Sequence, residues 1–242
     1  MIHENGVTLL SDFVSTVLEE PTPDRFLSHI VNKTLASLDA RGAILGIVER
    51  EGFLDLLGAY GYQEKMVDPY TRIPLWTPMP ITDAVRSGEI KIFRSTKDLV
   101  EHYPHLSQFE SSDDSVTVSA PITFHNTVIG AIGFTSKLQP SKNFQESETT
   151  KAILALCGIY IKNLIHTRRQ DKKDIKANFK DLTSRQRQII TLFKDDLTTE
   201  QMAERLKYSA STIKQDIIKI YAIFGVNSRT AVVDLAARAG IT

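Results

Sequence analysis

The sequence has a single cysteine, Cys157, and no long apolar run. One cysteine excludes a disulfide within the chain, and no Cys/His cluster has the spacing of a structural zinc site. The longest apolar run, residues 152–161, is far shorter than the roughly 20 residues that a helix needs to cross a bilayer. No basic residue precedes the short apolar patch at the N-terminus, unlike in a secretory signal. We therefore expect a cytoplasmic protein without a membrane partner, a metal or another cofactor.

The chain also lacks an excess of charge, because 29 basic side chains balance 29 acidic ones. The balance is not local. Residues 1–167 hold 14 Lys and Arg against 20 Asp and Glu, and residues 168–242 hold 15 against 9, so the two parts carry −6 and +6. Affinity for a charged partner depends on the local field, not on the total. We predict two domains, residues 1–167 and 181–242, joined by a polar and mostly basic linker, residues 168–180.

Capping signals mark the starts of helices in the basic part. Thr183–Gln186 and Thr198–Gln201 both fit the capping box, in which a threonine and a glutamine three residues later satisfy free amides at a helix N-terminus. Ser209 can cap a third helix, and Gly225 can end it with a left-handed backbone. A fourth helix is expected at Arg229–Ala239.

The third helix has an apolar side and a polar side. Its apolar residues recur at helical spacing, which predicts a buried stripe. They are Ile213, Ile217, Ile220 and Phe224. The other sides of the helix carry Ser211, Lys214, Gln215, Ile218, Lys219 and Ala222. A short helix, a tight turn and a longer helix with a polar outer face are typical of a helix-turn-helix.

The basic part resembles the DNA-binding domain of the LuxR/NarL family. The resemblance rests on LTSRQRQIITLF, TTEQMAERLKYSASTIKQ and FGVNSRTAVV. It implies an all-α domain of four helices that binds double-stranded DNA as a dimer, with the third helix in the major groove. By position it implies that Lys214, Gln215 and Ile218 face the groove and that Thr212 and Lys219 lie near the DNA backbone. Ser211 belongs to the same outward surface.

Three residues depart from the family pattern. Asp216 stands where the family commonly has histidine, Asp196 where it has glycine, and Ile223 where it has lysine. An acidic side chain near phosphate would weaken DNA binding. Because helical spacing places Asp216 beside the buried stripe, we expect it to pair with a neighbouring lysine or to cap the adjacent turn. The alternative for the whole segment is a small helical bundle that serves protein contacts.

The acidic part mixes helical and β patterns. We expect helices at residues 7–20, 24–39, 81–88, 96–106 and from about 146 to 168. We expect strands at residues 43–50, 53–61, 90–93, 115–124 and 127–136, with turns at Glu51-Gly52 and His125-Asn126. This order predicts an α+β domain with one antiparallel sheet flanked by helices.

The acidic part resembles a GAF domain over about residues 23–165. The resemblance rests on PITDAVRSGEIKIF, SAPITFHNTVIGAIGFTS and NFQESETTKAILALCGIYI, although PAS domains share this sheet architecture. It implies a module that senses a small molecule or only dimerises. The cyclic-nucleotide motif of the family is not visible, and Cys157 lies away from where bilin-attaching cysteines sit.

The loop at residues 60–80 is rich in aromatic residues and methionine. Its candidate ligand-binding residues are Tyr60, Tyr62, Met66, Tyr70, Arg72, Trp76 and Met79. Such a segment can wall an apolar cavity with a few polar groups, or it can cover the edge of the sheet as ordinary core. The sequence leaves both interpretations open.

These patterns together favour a transcription regulator over an enzyme. No GxSxG, P-loop, HExxH or paired-carboxylate arrangement is present, so no catalytic residue is assigned. The first helix and residues 152–161 are apolar on more than one face, which predicts a homodimer through these helices. The N-terminal domain is expected to dimerise and to sense a small molecule or a partner. The alternative is a ligand-free assembly module that is regulated through another protein.

Overall fold

The structure is a computed structural model that describes residues 2–49, 51–109, 114–195 and 197–239. Contacts between residues divide the chain into an N-terminal unit, which ends at Leu164, and a C-terminal unit, which begins at Ile165. The predicted linker, residues 168–180, is helical in the structure.

The N-terminal unit is a six-stranded antiparallel sheet flanked by helices, as the α+β prediction states. Its helices are α1 (Ile2–Leu18), α2 (Pro23–His29), α3 (Glu64–Val67), α4 (Pro80–Ser87), α5 (Thr96–His102) and the first part of α6 (Glu148–Lys180). Its strands are β1 (Ala40–Glu49), β2 (Phe53–Tyr60), β3 (Arg72–Pro74), β4 (Lys91–Phe93), β5 (Val116–Phe124) and β6 (Thr127–Ser136). The strand order is β3-β2-β1-β6-β5-β4.

Two predicted helices are interrupted before their expected ends. The helix expected at residues 24–39 is α only to His29 and continues as a π-helical segment, Ile30–Thr34, and a 3-10 turn, Ala36–Leu38. The helix expected at residues 96–106 ends at His102 and is followed by a 3-10 segment from Pro104. Pro104 explains this break, because a residue before proline is pushed out of the helical region, and Tyr103 has a ψ of 77°.

One face of the sheet is covered by α1, α2 and α6. A Cβ at Gly158 in α6 would lie 2.8 Å from the carbonyl oxygen of Thr123, so the helix approaches β5 closely. The ring of Tyr160 stacks on Phe26 with centroids 3.9 Å apart. The Tyr160 hydroxyl donates a hydrogen bond of 2.8 Å to the carbonyl oxygen of Pro21. These contacts bind α6 to α2 and to the segment that precedes α2.

The opposite face is covered by shorter elements, among them α4, α5 and the segment around β3. Their buried apolar side chains form one cluster with residues of the strands. Its members include Leu54, Ile73, Met79, Ile81, Val85, Phe93, Tyr103 and Leu106. The Tyr103 hydroxyl donates a 2.7 Å hydrogen bond to a carboxylate oxygen of Asp83, which joins α4 to the end of α5. Burial, followed by this hydrogen bond, raises the pKa of Tyr103.

Two glycines shape the segment that leaves β2. Gly61 has a φ of +80°, and a Cβ there would lie 2.0 Å from the carbonyl oxygen of Arg41. A Cβ at Gly42 would lie 2.8 Å from the ring of Tyr62. Only glycine fits at residue 61, because the backbone of β1 is too close for a side chain there. At residue 42 a side chain would collide with the ring of Tyr62. The next residue, Tyr62, is thereby directed toward the face of the sheet that carries α4 and α5.

The C-terminal unit contains helices only, as predicted for this part. After the last turns of α6 come α7 (Ser184–Leu192), α8 (Thr199–Leu206), α9 (Ala210–Phe224) and α10 (Arg229–Ala239). Both predicted capping boxes are present, since the amides of Thr183 and Thr198 donate to the side chains of Gln186 and Gln201 at 2.9 and 2.8 Å. Gly225 ends α9 with a φ of +63°.

One apolar cluster holds these helices together. Its fully buried members are Ile189, Met202, Ile213, Ile220 and Val232. Phe179 of α6 also belongs to it, with its ring centroid 4.7 Å from that of Phe224. Asn178 donates a hydrogen bond of 3.2 Å to the carbonyl oxygen of Ile223. These contacts explain why α6 continues beyond residue 168, where the predicted helix ends.

Candidate functional site

The turn between α8 and α9 is short and is held by hydrogen bonds at both ends. Lys207 ends α8 with a left-handed backbone, φ +59°, and the amide of Tyr208 donates to the carbonyl oxygen of Ala203 at 2.9 Å. Ser209 then caps α9, because its hydroxyl accepts a hydrogen bond of 3.1 Å from the amide of Thr212. The hydroxyls of Ser211 and Thr212 lie 2.9 and 2.8 Å from that of Ser209. The start of α9 is therefore rigidly positioned relative to α8.

The two sides of α9 differ in burial as the sequence predicts. Ile213, Ile217 and Ile220 are buried, and Phe224 is half-buried. The residues proposed for the DNA-facing surface are exposed, apart from the half-buried Thr212. The exposed ones are Ser211, Lys214, Gln215, Ile218 and Lys219. Ile218 is 58% exposed beside these polar side chains, so α9 carries a projecting surface of mixed chemistry.

Asp216 is withdrawn from this surface. It is only 3% exposed and forms an ion pair with Arg185 of α7. The guanidinium of Arg185 also lies 4.7 Å from the centroid of the Tyr208 ring, and its hydrogen bond to Asp216 raises the pKa of Arg185. The expectation of a structural partner for Asp216 is confirmed, but the partner is an arginine of another helix rather than a lysine or the adjacent turn.

The other two departures from the family pattern have different outcomes. Ile223 packs against the apolar cluster of the C-terminal unit, which accounts for an apolar residue at that position. Asp196 lies outside the described residues. Arg229, which the sequence did not single out, fixes the start of α10 by donating to the carbonyl oxygen of Leu197 and to the hydroxyl of Thr199. A lone arginine at a helix start gave no signal for this role.

A second candidate site is a cavity of about 200 Å³ in the N-terminal unit. It lies between the sheet and the elements that cover its second face. Four of the predicted ligand-binding residues line it: Tyr62, Met66, Tyr70 and Met79. Its other apolar lining residues include Ile44, Leu56, Val67, Ile73, Ile81, Leu99, Leu106 and Phe134. The aromatic loop is thus one wall of the cavity, and the sheet is the other.

The remaining three predicted residues do not line the cavity. Tyr60 accepts a hydrogen bond of 3.0 Å from Asn32 in the π-helical segment. Arg72 pairs with Glu51 at 2.6 Å, and Trp76 is 68% exposed. The short strand β3 explains the outcome for Arg72, because successive side chains of a strand point to opposite faces and Ile73 takes the inner one.

A row of hydroxyl groups, which sequence reasoning missed, lines the sheet side of the cavity. Ser115, Thr117 and Ser119 precede or belong to β5 at alternate positions, and Thr96 and Thr135 lie beside them. The Tyr62 hydroxyl is 3.3 Å from that of Thr135, and burial raises the pKa of Tyr62. None of the described lining residues is charged. The signal was present as the alternation of polar and apolar residues in SVTVSA.

Other site types find no support in the described part of the chain. Among these residues no group of three or more His, Cys, Asp or Glu side chains is placed to hold a metal ion. No helix there is long and apolar enough to cross a membrane. Cys157 is fully buried, and burial raises its pKa to about 12, so its thiolate is scarce at neutral pH.

Comparisons with known proteins agree with this geometry. Residues 180–236 match the family model described as "Bacterial regulatory proteins, luxR family". The GAF domain of a phosphoenolpyruvate-protein phosphotransferase (ptsP) from Coxiella burnetii is 17% identical, with a TM-score of 0.52 over 69% of this chain and 96% of that one. The A. aeolicus nlh2 GAF domain in an inactive state is 14% identical, with a TM-score of 0.50 over 67% and 98%. No curated protein matches the chain. At these identities the likeness establishes the GAF fold alone.

Proposed function

We propose that this chain, in which a domain of the GAF fold precedes a LuxR-family helix-turn-helix domain, is a homodimeric transcription regulator that binds double-stranded DNA and responds to a small molecule. The observation that carries the DNA-binding part is the projecting surface of α9. Lys214, Gln215 and Lys219 are exposed on it, while Ile213 and Ile220 fix the opposite side of the helix in the core. The match to the luxR family over residues 180–236 supports the same role.

The exposed side chains of α9 suit different parts of a major groove. Gln215 can bind adenine through both groups of its amide, and Ile218 can contact the methyl group of thymine. Lys219 and Thr212 are proposed to contact the DNA backbone, where a lysine binds phosphate as a point charge. Asp216 does not oppose them, because Arg185 neutralises it inside the domain.

The first test uses duplexes selected by the wild-type chain from a randomised pool. We expect Gln215→Ala to weaken binding to the selected duplex about 5- to 150-fold, the value of one bidentate base contact, with little change for unrelated duplexes. We expect Lys219→Ala to weaken both kinds of duplex and to lower the slope of log K against log salt by about one. Fluorescence anisotropy at several salt concentrations measures both effects.

Lys194→Ala is the matched control, because Lys194 is exposed and follows α7 on another surface of the domain. It removes the same charge as Lys219→Ala. Equal losses for the two lysine variants, or a Gln215→Ala variant that keeps its preference for the selected duplex, would contradict the assignment of α9 as the reading helix.

The proposed dimer uses an apolar stripe on α1. Phe13 and Val17 of this helix are buried, but Val7 and Leu18 are 70% and 77% exposed, and Val14 is exposed beside them. Residues 7, 14 and 18 lie on one side of the helix, so their apolar side chains share one exposed face. Ile159 of α6 is exposed as well. A second copy of the chain is the proposed occupant, since a two-fold protein reads two half-sites about one helical turn apart.

The double variant Val14→Lys/Leu18→Lys tests this interface. We expect the wild-type chain to sediment as a dimer at micromolar concentration and the variant as a monomer, because two charges would be buried without partners in the interface. Leu138→Lys is the control, since Leu138 is an exposed leucine outside α1 and α6. A wild-type chain that sediments as a monomer would refute the dimer.

The cavity supports sensing over the alternative of a ligand-free assembly module. It is walled by apolar side chains and by hydroxyl groups, which is the composition of small-molecule sites. We propose that its occupancy changes the affinity of the chain for DNA, and we assign no catalytic step to either domain. As a DNA-binding regulator, the chain is proposed to act in the cytoplasm.

A further inference from the structure

Two hydroxyl groups in the cavity have no hydrogen-bond partner among the described residues. Ser119 is only 2% exposed, yet its hydroxyl takes part in no hydrogen bond within the described part of the chain. The hydroxyl of Thr117, which is half-buried two residues earlier on the same face of β5, likewise takes part in none. Thr96 and Ser115 differ, because the amide of Ser115 donates to the Thr96 hydroxyl at 3.3 Å. Both residues line the cavity, so a ligand group placed in it can hydrogen-bond to their hydroxyls.

The volume of the cavity limits the size of the ligand. At about 200 Å³ it is somewhat larger than a dry cavity of about 150 Å³ that holds benzene, and smaller than the roughly 300–1,000 Å³ of most small-molecule sites. One aromatic ring or a short branched chain with a few further atoms fits this space. Nucleotides and tetrapyrroles are too large.

The absence of charged side chains from the described lining limits the charge of the ligand. None of the described lining residues is an acid, a lysine, an arginine or a histidine. Arg72, in the aromatic loop, lies outside the lining and pairs with Glu51, while Arg86 of α4 pairs with Asp83. An ionised group in this cavity would therefore lose its hydration without gaining a counter-ion, which is strongly unfavourable.

From the hydroxyl pair, the size and the charge together, we propose that the cavity binds a small uncharged ligand. The ligand has the bulk of about one aromatic ring and carries a hydroxyl, carbonyl or amide group that hydrogen-bonds to Ser119 and Thr117. A hydroxyl of serine or threonine both donates and accepts, so each of these three groups satisfies it. The apolar wall formed by Met66, Tyr70 and Met79 packs on the rest of the molecule. This inference rests on the proposed sensing role of the N-terminal unit and names its ligand class.

Two matched pairs of small-molecule probes test the proposed ligand class on the full chain. Benzamide and benzoate have nearly the same shape and differ in charge, and 4-methylphenol and toluene differ by one hydroxyl. In ligand-observed NMR titrations we expect benzamide to bind at least about 10-fold more tightly than benzoate, because benzoate buries an unpaired charge. We expect 4-methylphenol to bind about 2- to 12-fold more tightly than toluene, the range of one net hydrogen bond.

Ser119→Ala and Thr117→Val connect the preference to the proposed residues. Each removes a hydroxyl with little change in volume, and we expect each to reduce the advantage of 4-methylphenol over toluene while toluene binding is unchanged. Thr123→Val is the control, because Thr123 is an exposed residue of β5 outside the cavity. Circular dichroism establishes that each variant is folded before the titration.

The outcomes separate this inference from the proposed function. Benzoate binding as tightly as benzamide, failure of both neutral polar probes to bind, or equal behaviour of Ser119→Ala, Thr117→Val and Thr123→Val would overturn the ligand class. DNA affinity measured with and without each bound probe tests sensing independently. Neutral probes that bind without changing DNA affinity would leave the ligand class standing and remove the sensing role.

Discussion

Gly61→Ala is expected to destabilise the N-terminal unit by about 2–5 kcal/mol. About 1–2 kcal/mol comes from a side chain in the left-handed backbone region, and about 1–3 kcal/mol or more comes from steric crowding. The crowding is severe because the new Cβ would lie 2.0 Å from the carbonyl oxygen of Arg41, a backbone atom of β1. Urea unfolding followed by tryptophan fluorescence measures the loss, since the single tryptophan, Trp76, lies in this unit.

Gly88→Ala separates the two contributions. Gly88 also has a positive φ, +70°, but nothing lies within 4 Å of the place where its Cβ would be. Only the backbone strain applies there, so we expect a loss of about 1–2 kcal/mol. Equal losses for Gly61→Ala and Gly88→Ala would show that β1 yields to the new methyl group. The cavity would then not depend on the close approach that directs Tyr62 into it.

Arg185→Ala is expected to destabilise the C-terminal unit clearly more than Arg187→Ala does, because it leaves the buried carboxylate of Asp216 without a partner. Asp216→Asn should have a smaller effect, since Arg185 is partly exposed and water can solvate its guanidinium. Calorimetry on the full chain measures these changes, and the fluorescence of Trp76 identifies which transition belongs to the N-terminal unit.

Arg187→Ala is the matched control on the same helix. Arg187 is exposed and donates a hydrogen bond of 2.9 Å to the carbonyl oxygen of Lys180, and among the described residues it has no carboxylate partner. We expect it to cost no more than about 1 kcal/mol. The double variant Arg185→Ala/Asp216→Ala should recover part of the stability, because the unpaired charge is gone. An Arg185→Ala variant as stable as Arg187→Ala would contradict a structural role for the ion pair.

The sequence predicted the helix starts and the exposed side of α9 well, because both follow from contacts and spacings that are local in the chain. Thr183, Thr198 and Ser209 cap helices through contacts that span only three residues, and such contacts are visible in the sequence. The buried stripe of α9 follows from a period of 3.6 residues, so the exposure of Gln215 and Lys219 needed no knowledge of other helices. The ion pair of Asp216 could not be predicted in this way, because its partner, Arg185, is 31 residues away along the chain.

The cavity was only partly predictable for the same reason. The composition of residues 60–80 predicted an apolar wall, and four of its seven candidates line the cavity. Which side chains point inward depends on the register of β3 against β2, a strand of three residues that leaves no pattern. The hydroxyls of Thr117 and Ser119 follow the period of β5, but their importance depends on the space in front of them. Only the packing of α4, α5 and the aromatic loop defines that space.

Ile218 projects an aliphatic side chain without donor or acceptor groups from the proposed DNA-facing surface of α9. In the proposed complex it distinguishes bases only by the C5 methyl group that thymine displays in the major groove. Cytosine methylated at C5 presents a methyl group at the corresponding position, and uracil presents none. At the base pair opposite Ile218, DNA binding would therefore respond to methylation of cytosine as well as to the base sequence.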